Sequence, residues 1–277
     1  MNIEKYTKAL EETIGETFPR EYGEGTDITV AFRAVIRNIG LKAFQKANEK
    51  EAREAHRALV LFSGGLDSTT CLAQAVERYR AENVVALSAR YGQVHEKELQ
   101  AAKKIVAFYG VKHRHIDLTA IFEGSDCSLI KTSGKDIPEG EYSEQLKNGA
   151  ISTYVPFRNG LFLSAATAIA IEEKCDCVIY GAHRDDAAGD AYPDCSEAFG
   201  EAIGEAIWLG SGKQVRLEAP FIGKNKADIV AEGLRLNVPY ELTWSCYKGG
   251  EKPCGVCGTC RDRAAAFEKN GAKDPLK

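Results

Sequence analysis

The sequence predicts an α/β protein with an open parallel sheet and helices on both faces. From residue 57 onward, short apolar runs alternate with longer stretches of helical periodicity, and this alternation is typical of parallel sheets. The first apolar run leads directly into a glycine turn and a helix, which is the start of a strand–turn–helix unit. A helical segment precedes the predicted sheet, and a cysteine-rich turn region follows it.

Local patterns predict the elements in order. Ala58–Phe62 is a continuous apolar run, as expected of a strand buried on both faces, and helical spacing follows it to about Arg80. Further strands are predicted at 84–88, 112–116 and 177–180, and further helices at 96–109, 159–173, 197–209, from Lys226 and from Arg261. Residues 118–155 are predicted to form a long loop, and such loops in compact domains commonly cover a functional site.

The chain divides into three predicted regions. Residues 1–56 form an N-terminal extension, residues 57–240 the α/β domain, and residues 241–277 a metal-binding C-terminal region. Within the extension, Glu4–Thr17 and Arg33–His56 have helical spacing and are separated by a glycine-rich break. We expect the extension to be a packing or dimerisation element.

The composition narrows the possible partners and compartments. Among the 277 residues, 44% are hydrophobic and 27% charged, which excludes collagen-like and disordered classes. The net charge of −4 gives no general attraction to nucleic acid, so we expect no direct nucleic-acid partner. The first residues lack the apolar core of a signal peptide, and the longest apolar stretch, Leu161–Ile171, is shorter than the ~20 residues of a membrane helix. We therefore expect no membrane association and a cytoplasmic location.

The segment that carries most chemical information is Ser63-Gly64-Gly65-Leu66-Asp67-Ser68, between the first strand and its helix. Paired glycines let a backbone turn sharply and approach a ligand closely. The N–H groups at the start of the following helix attract phosphate. Asp67 would repel phosphate, so it is expected to hold a Mg²⁺ ion that bridges to the phosphates. The alternative is an ordinary glycine turn with a capped helix.

Two other phosphate motifs, a Walker A loop and a Gly-x-Gly-x-x-Gly turn, are missing from the sequence. The string SGGLDS instead resembles the pyrophosphate loop (PP-loop) of the ATP pyrophosphatases, the superfamily of GMP synthetase and asparagine synthetase. The resemblance implies a Rossmann-like fold of the adenine nucleotide alpha hydrolase kind and cleavage of ATP between its α and β phosphates. The predicted ATP-binding residues are Phe62, Ser63, Gly64, Gly65, Leu66, Asp67, Ser68 and Thr69.

Four of the nine cysteines predict a metal site in the C-terminal region. Cys246, Cys254, Cys257 and Cys260 lie within fifteen residues, with glycines between them. Close spacing without a secretory signal indicates metal binding rather than disulfides, and four thiolates suit a closed, structural Zn²⁺ site. An iron–sulfur cluster is the alternative. The other five cysteines are expected to be small core residues.

Further strings resemble the QueC family of 7-cyano-7-deazaguanine synthases. In order over residues 58–267, the matching strings are SGGLDSTTCL (63–72), YGQVHEKEL (91–99), YVPFRNGLFL (154–163), YPDC (192–195), SCY (245–247) and CGVCGTCRDR (254–263). The sequence departs from the family pattern in three places. Residues 1–56 are additional, and Phe157 and Ala191 occupy positions where the family has glycine.

The resemblance implies a reaction in which 7-carboxy-7-deazaguanine and ammonia give the nitrile with consumption of two ATP. Adenylation turns the carboxylate into a mixed anhydride, and ammonia converts this to the amide. A second adenylation activates the amide oxygen, and AMP departs to leave the nitrile. Positioning and charge neutralisation suffice for both steps, so no cysteine nucleophile is predicted. Free ammonia is the expected nitrogen source, and a homodimer fits the family.

The catalytic residues are predicted to be Asp67, Arg158 and Lys226. Arg158 and Asn159 open a helix and could donate to phosphate or carboxylate, whereas the alternative is helix capping. Lys226 could neutralise pyrophosphate, with Lys224 as its rival and a solvated lysine as the alternative.

The substrate-binding residues are predicted to be Gln93, Asn159, Asp185, Asp186, Tyr192 and Asp194. Asp185 and Asp186 follow a strand end and could bind the guanine-like edge or Mg²⁺, or form a solvated loop. The other assignments follow from the family match. His95 and His183 could shuttle protons but are more often structural, and Tyr91 could stack on adenine or belong to the core.

Three competing functions remain open. A QueC-like paralogue could adenylate the same substrate and transfer it to a protein amine, as defence-associated relatives do. A PP-loop tRNA-modifying enzyme would need paired catalytic cysteines near the loop and a basic face. A zinc-ribbon binding module without enzymatic activity would not need the intact Asp67 loop.

Overall fold

The computed structural model describes residues 57–140, 152–187 and 191–276. The strands in this part are β1 Ala58–Leu61, β2 Val84–Arg90, β3 Lys112–Asp117, β4 Cys177–Ile179 and β5 Arg216–Glu218. The helices are α1 Leu66–Tyr79, α2 Lys97–Tyr109, α3 Thr119–Phe122, α4 Arg158–Glu172, α5 Arg184–Ala187, α6 Glu197–Gly210, α7 Lys226–Arg235 and α8 Gly258–Lys269.

The described strands form one parallel sheet in the order β3-β2-β1-β4-β5. Leu59 of the central strand β1 pairs with Val85 of β2 on one side and Val178 of β4 on the other. The chain runs from β1 to β2 in one direction and later reaches β4 on the opposite side of β1. Ligands of open α/β sheets bind outside the carboxyl ends of the strands at such a reversal.

The core lies between the sheet and its helices. Leu59, Val85 and Val178 are fully buried and form one cluster with Leu163 of α4 and Ile207 of α6. Successive residues of a strand face opposite sides of the sheet, and α1 packs against β1 and β2 on the other side. The prediction of an open parallel sheet flanked by helices is therefore confirmed.

The element boundaries agree with the predictions to within two residues except at the sheet edge, in the long loop and at two helices. The helix α5 was not predicted, and α8 begins at Gly258 rather than at Arg261. Strand β5 was not predicted because it has only three residues, all partly buried. The predicted loop contains the one-turn helix α3 and a 3₁₀ turn at Lys131–Ser133, and its residues 141–151 lie outside the described residues. The predicted extension at 1–56 also lies outside them, and the region boundaries remain predictions. Among the described residues, no helix is both long and apolar enough to cross a membrane.

A buried ion pair attaches α8 to the preceding segment and to the C-terminal residues. Arg263 is 4% exposed, and its guanidinium donates to both carboxylate oxygens of Asp274 at 2.9–3.1 Å. The same guanidinium donates to Thr243 Oγ1 at 2.7 Å and to the Tyr240 carbonyl at 3.1 Å. One buried side chain therefore joins three segments.

We expect Asp274→Ala to lower the free energy of unfolding by about 3–5 kcal/mol, because it leaves the buried Arg263 charge without its carboxylate. Urea unfolding followed by circular dichroism measures this loss. The control is Glu139→Ala, which removes the carboxylate partner of Lys248 in an exposed ion pair and should leave stability nearly unchanged. Equal effects of the two substitutions would contradict the structural role of the buried pair.

Candidate active site

The turn between β1 and α1 opens onto a cavity at the carboxyl edge of the sheet. Of the eight predicted ATP-binding residues, Gly64 and Thr69 do not line this cavity. The other six do, namely Phe62, Ser63, Gly65, Leu66, Asp67 and Ser68. Ser63 Oγ accepts a hydrogen bond from Gly65 N at 3.1 Å and lies 3.0 Å from Ser68 Oγ. No side chain caps the N-terminus of α1. The N–H groups of its first turn are thus available to an anion.

Gly64 is the point where three segments of backbone meet. Its φ of +87° is unfavourable for other residues, and a Cβ there would lie 2.5 Å from the Glu98 carbonyl oxygen and 2.6 Å from Ala102 N. The Gly64 carbonyl accepts a hydrogen bond from Trp244 N at 3.0 Å. The turn is therefore fixed by α2 on one side and by the C-terminal region on the other.

Asp67 forms an ion pair at the base of the cavity. Lys226 Nζ donates to Asp67 Oδ2 at 2.8 Å, and His183 Nε2 lies 3.9 Å from the same oxygen. Burial raises the pKa of Asp67, but the charges of Lys226 and His183 outweigh this effect and hold the pKa below its usual value. Asp67 Oδ1 is buried without a hydrogen-bond partner among the described residues. One oxygen of an ionised carboxylate is therefore free to bind a cation.

Two further carboxylates share the neighbourhood of Lys226. His183 is 1% exposed, and its Nε2 lies 3.2 Å from Asp186 Oδ2 without hydrogen-bond geometry. Asp262 of α8 faces Lys226 and Asp186, and burial raises its pKa. Burial alone would lower the pKa of Lys226, but Asp67 and Asp186 raise it above its usual value, so the ammonium stays charged.

Asp185 is placed differently from Asp186. It is exposed and does not line the cavity, and its Oδ2 accepts a hydrogen bond from Lys226 N at 2.8 Å. The N-terminus of α7 is also capped by Asn225 and Asp228, which form a reciprocal capping box. Asp185 and this box fix the helix that presents Lys226.

Arg158 begins α4 and lies above a cluster of aromatic side chains. Its guanidinium carbon is 5.5 Å from the centre of the Tyr91 ring, and its Nη1 lies 3.4 Å from Tyr91 Oη. Tyr91 is 8% exposed and packs edge-on against Phe122 and Phe162. Tyr91 and Arg158 both line the cavity. The packed aromatic side chains therefore hold the Arg158 guanidinium at the cavity wall.

Asn159 lines the cavity, and buried residues hold it in place. Asp194 Oδ2 accepts a hydrogen bond from Asn159 N at 2.9 Å, and Asn159 Nδ2 donates to the Asp194 carbonyl at 3.2 Å. Asp194 is 5% exposed. The hydroxyl of the buried Tyr192 lies 2.6 Å from Thr153 Oγ1. Neither Asp194 nor Tyr192 lines the cavity. They support the start of α4.

The other wall is formed by the segment after β2. Gln93 lines the cavity, and its Oε1 accepts a hydrogen bond from Tyr91 N at 2.9 Å. His95 also lines the cavity, but its Nδ1 accepts a hydrogen bond from Lys97 N at 3.2 Å. Its ring packs closely on Gly249, where a Cβ would lie 2.4 Å from the nearest ring atom. These contacts are those of a structural histidine.

Phe157 adopts the conformation that a glycine would have at this position. Its φ is +54°, in the left-handed region, and its ring is 60% exposed. The ring packs edge-on against Phe199 and lies close to Gly160, where a Cβ would be 2.5 Å from it. The substitution of glycine by phenylalanine thus retains the backbone turn before Arg158. Ala191, the second departure, is 5% exposed in the core.

The four C-terminal cysteines converge as predicted. The sulfur atoms of Cys246, Cys254, Cys257 and Cys260 all lie within 4.8 Å of one another. A tetrahedral zinc site with Zn–S bonds of about 2.3 Å separates its sulfurs by about 3.8 Å, so the donor set fits such an ion. Hydrogen bonds from Cys254 N to Cys246 Sγ and from Cys257 N to Cys254 Sγ, at 3.3 and 3.4 Å, already orient the sulfurs.

The cysteine cluster is linked to the glycine turn through Trp244. The indole Nε1 donates to the Cys246 carbonyl at 2.8 Å, while the backbone N–H of the same residue bonds to Gly64. Ser245, Tyr247, Thr259 and Asp262 of the C-terminal region line the cavity. The metal-binding region is therefore part of the wall of the site.

The wall also includes Glu98, Thr259 and Asp262, which sequence reasoning did not single out. All three lie inside the strings that resemble the family, but neither their spacing nor their residue type marked them. Glu98 is the second residue of α2, and burial raises its pKa to about 7 although Arg158 lowers it.

The parallel sheet with this turn after its central strand defines a PP-loop protein. The family model for queuosine biosynthesis protein QueC matches residues 57–271. The match covers well over half of the chain, which therefore belongs to the QueC family.

Curated relatives agree with this assignment. A 7-cyano-7-deazaguanine synthase from Caldicellulosiruptor saccharolyticus is 44% identical over 223 residues, which are 80% of this chain and 95% of that protein. The enzyme of the same name from Pseudoalteromonas atlantica is 43% identical over 221 residues, covering 80% and 98% of the two chains.

The solved structure of the U34-tRNA thiolase NcsA from Methanococcus maripaludis is 17% identical, with a TM-score of 0.43 over 96% of this chain and 75% of that one. A likeness this weak says nothing about what the chain does.

We expect Gly64→Ala to destabilise the fold by about 2–5 kcal/mol, because the new Cβ would meet backbone atoms at a positive φ. The matched control is Gly65→Ala, where φ is −79° and the nearest atom to a Cβ is Ser63 Oγ at 3.2 Å. Urea unfolding of both variants gives the comparison. If Gly64→Ala is as stable as Gly65→Ala, the close approach at Gly64 is not a structural requirement.

Proposed function

We propose that this protein is an ATP-dependent ligase that converts 7-carboxy-7-deazaguanine and ammonia to 7-cyano-7-deazaguanine through adenylated intermediates. The observation that carries the proposal is the uncapped turn with its Asp67–Lys226 pair, inside a cavity of a QueC-family fold. Relatives above 40% identity bear the name of this enzyme. They do not favour transfer of the deazaguanine to a protein amine.

The chemistry explains why ATP is consumed. A carboxylate resists attack by a nucleophile because the attack adds charge to an anion. Adenylation supplies a good leaving group, ammonia displaces AMP to give the amide, and the amide oxygen is then adenylated in turn. Loss of AMP from that second intermediate leaves the nitrile. Both activations are attacks on the α-phosphorus, so one nucleotide site serves both.

The nucleotide would bind with its phosphates on the turn. The N–H groups at the start of α1 and the hydroxyls of Ser63 and Ser68 are placed to donate to the pyrophosphate. Arg158 and Lys226 are the cations of the wall that would neutralise charge on the phosphates or the carboxylate. Lys224 is a weaker candidate than Lys226, since its ammonium lies over the Phe221 ring, 5.5 Å from the centre.

The residues around the free oxygen of Asp67 fit a Mg²⁺ ion. Asp67 Oδ1 is an unpartnered carboxylate oxygen beside the turn, and oxygen is the ligand that Mg²⁺ prefers. Asp186 is a further carboxylate on the cavity wall, and its Oδ2 lies 3.2 Å from the same His183 Nε2 that lies 3.9 Å from Asp67 Oδ2. When bound, the ion would neutralise charge on the phosphate oxygens.

The deazaguanine would occupy the part of the cavity between α4 and the strand ends. Asp186, Asn159 and Gln93 line it and offer acceptors and donors for a guanine-like edge. Asp194, Tyr192 and Asp185 would act by positioning Asn159, the start of α4 and Lys226.

The cysteine cluster would hold Zn²⁺ with a structural role, because four sulfur ligands leave no open coordination position. The alternative iron–sulfur cluster uses the same residue type. Reduced thiolates fit the proposed cytoplasmic location. We also propose free ammonia as the nitrogen donor and a homodimeric assembly.

The direct test mixes the purified protein with Mg-ATP, 7-carboxy-7-deazaguanine and ammonium chloride and analyses the products by liquid chromatography and mass spectrometry. AMP, pyrophosphate and the nitrile are the expected products. Formation of ADP would contradict cleavage between the α and β phosphates, and AMP with only the amide would contradict nitrile synthesis.

We expect Asp67→Asn to reduce AMP formation by at least about 10³-fold, because an uncharged amide neither binds Mg²⁺ well nor pairs with Lys226. Thermal unfolding should show that the variant is folded. Asp126→Asn is the control, since this carboxylate is 91% exposed and pairs only with Lys135 among the described residues. Retained turnover in Asp67→Asn would remove Asp67 from the mechanism.

Cys257→Ser should release about one equivalent of metal per chain and destabilise the protein, because structural zinc contributes directly to folding. We also expect weaker ATP binding, since Trp244 connects Cys246 to Gly64. Elemental analysis and nucleotide titration measure the two effects. Cys127→Ser, at a buried cysteine outside the cluster, should retain its metal. Unchanged metal content in Cys257→Ser would disprove the site, and iron with sulfide in the wild type would favour the cluster alternative.

A further inference from the structure

Glu98 is a carboxylate of the cavity that has no part in the proposed reaction scheme. Glu98 lies in the first turn of α2, lines the same cavity as Ser63, Asp67 and Arg158, and is partly buried. Its Oε1 is 3.9 Å from the position that a Cβ on Gly65 would occupy. The carboxylate thus lies across the mouth of the turn, where the reacting end of the substrate would meet the phosphates.

Three of the other carboxylates near the cavity have a close partner. Asp67 pairs with Lys226, Asp186 lies beside His183, and Asp194 accepts from Asn159 N. Asp262 forms no hydrogen bond or ion pair with another described side chain either, but it faces the Lys226 ammonium rather than the mouth of the turn. Among the described residues, Glu98 forms no hydrogen bond or ion pair with another side chain. A buried or partly buried carboxylate without a partner is costly, which points to a ligand that supplies one.

The charged and titratable groups that face Glu98 are Arg158, Asp67 and Tyr91. Burial raises the pKa of Glu98 to about 7, with Arg158 opposing and Asp67 reinforcing the rise. At neutral pH the residue is therefore present as both carboxylate and carboxylic acid. A group in this state can both accept and release a proton.

The reaction needs such a group. Ammonia exists in water at neutral pH mainly as ammonium, which has no lone pair and cannot attack a carbonyl carbon. A carboxylate attracts the cation and can take its proton at the place where the nucleophile is used. Neither Lys226 nor Arg158 can do so, because both are held in their charged forms.

We propose that the Glu98 carboxylate binds the incoming ammonium ion and removes its proton, so that ammonia is released next to the adenylated substrate. The lone pair of ammonia then forms the C–N bond, and the electron pair of the C–O bond leaves with AMP. The resulting cationic adduct releases one proton to solvent water to give the neutral amide, and Glu98 passes the proton that it took from ammonium to solvent before the next turnover. This inference rests on the proposed function, and it adds a binding site for the nitrogen donor.

The test compares two nucleophiles in Glu98→Gln. Hydroxylamine is weakly basic and neutral at pH 7, so it attacks the adenylate without prior deprotonation. With ammonium at pH 7, we expect kcat/KM to fall by at least about 100-fold, within the range for general acid–base catalysis. Hydroxamate formation should change by less than about threefold. Raising the pH should restore ammonium-dependent turnover as free ammonia increases.

The control is Glu96→Gln, which makes the same change two residues away at a side chain that is 54% exposed and paired with Arg90. It should match the wild type with both nucleophiles. Recovery of Glu98→Gln at high pH also shows that the variant is folded.

Two results would overturn the inference. One is an equal loss of ammonium-dependent and hydroxylamine-dependent turnover in Glu98→Gln, which would assign Glu98 to ATP or metal binding. The other is unchanged ammonium-dependent turnover at pH 7. If instead the wild-type protein forms neither nitrile nor hydroxamate, the proposed function itself is wrong.

Discussion

The close approach of three backbone segments at Gly64 is the constraint on which the site depends. Gly64 contacts the Glu98 carbonyl and Ala102 N of α2, and it accepts a hydrogen bond from Trp244. The two contacts with α2 are possible only without a side chain at this position. Because the turn is braced by its neighbours, the N–H groups at the start of α1 are held open without a cap. A phosphate could then bind without the turn having to reorganise, and preorganisation of this kind is a large part of electrostatic catalysis.

The charges around this turn explain why substrate and metal would bind together. Four carboxylates line the cavity, namely Asp67, Asp186, Asp262 and Glu98, while Lys226 and Arg158 are the cations among the described residues of its wall. Such a wall repels a bare polyphosphate at close range. A divalent cation would reverse the sign of the field where the phosphates meet the carboxylates. The same excess of negative charge attracts ammonium, the second cation that the proposed reaction requires.

Much of the fold and the centre of the site could be predicted because their signals are local. An apolar strand followed by SGGLDS predicts the turn directly, and four cysteines within fifteen residues predict that their sulfur atoms converge. Glu98 and Asp262 could not be found in this way, since their importance arises only when α2 and α8 pack beside the turn. Sequence order also did not separate Asp185 from Asp186. One accepts from the backbone of Lys226 and the other faces the cavity, a difference that depends on the rotation of a single helical turn.

The position of the cysteine cluster suggests what a structural metal would contribute to the proposed nucleotide site. The wall of the cavity includes Tyr247, Thr259 and Asp262, from a segment that contains little regular structure before α8. Short segments rich in glycine lose much conformational entropy when they become ordered. A metal ion bound by the four cysteines would offset that loss by joining both ends of the segment, and the hydrogen bonds of Trp244 would carry the resulting order to Gly64. The loaded cluster would therefore stabilise the same turn that α2 contacts, and the geometry of the proposed phosphate site would depend on both.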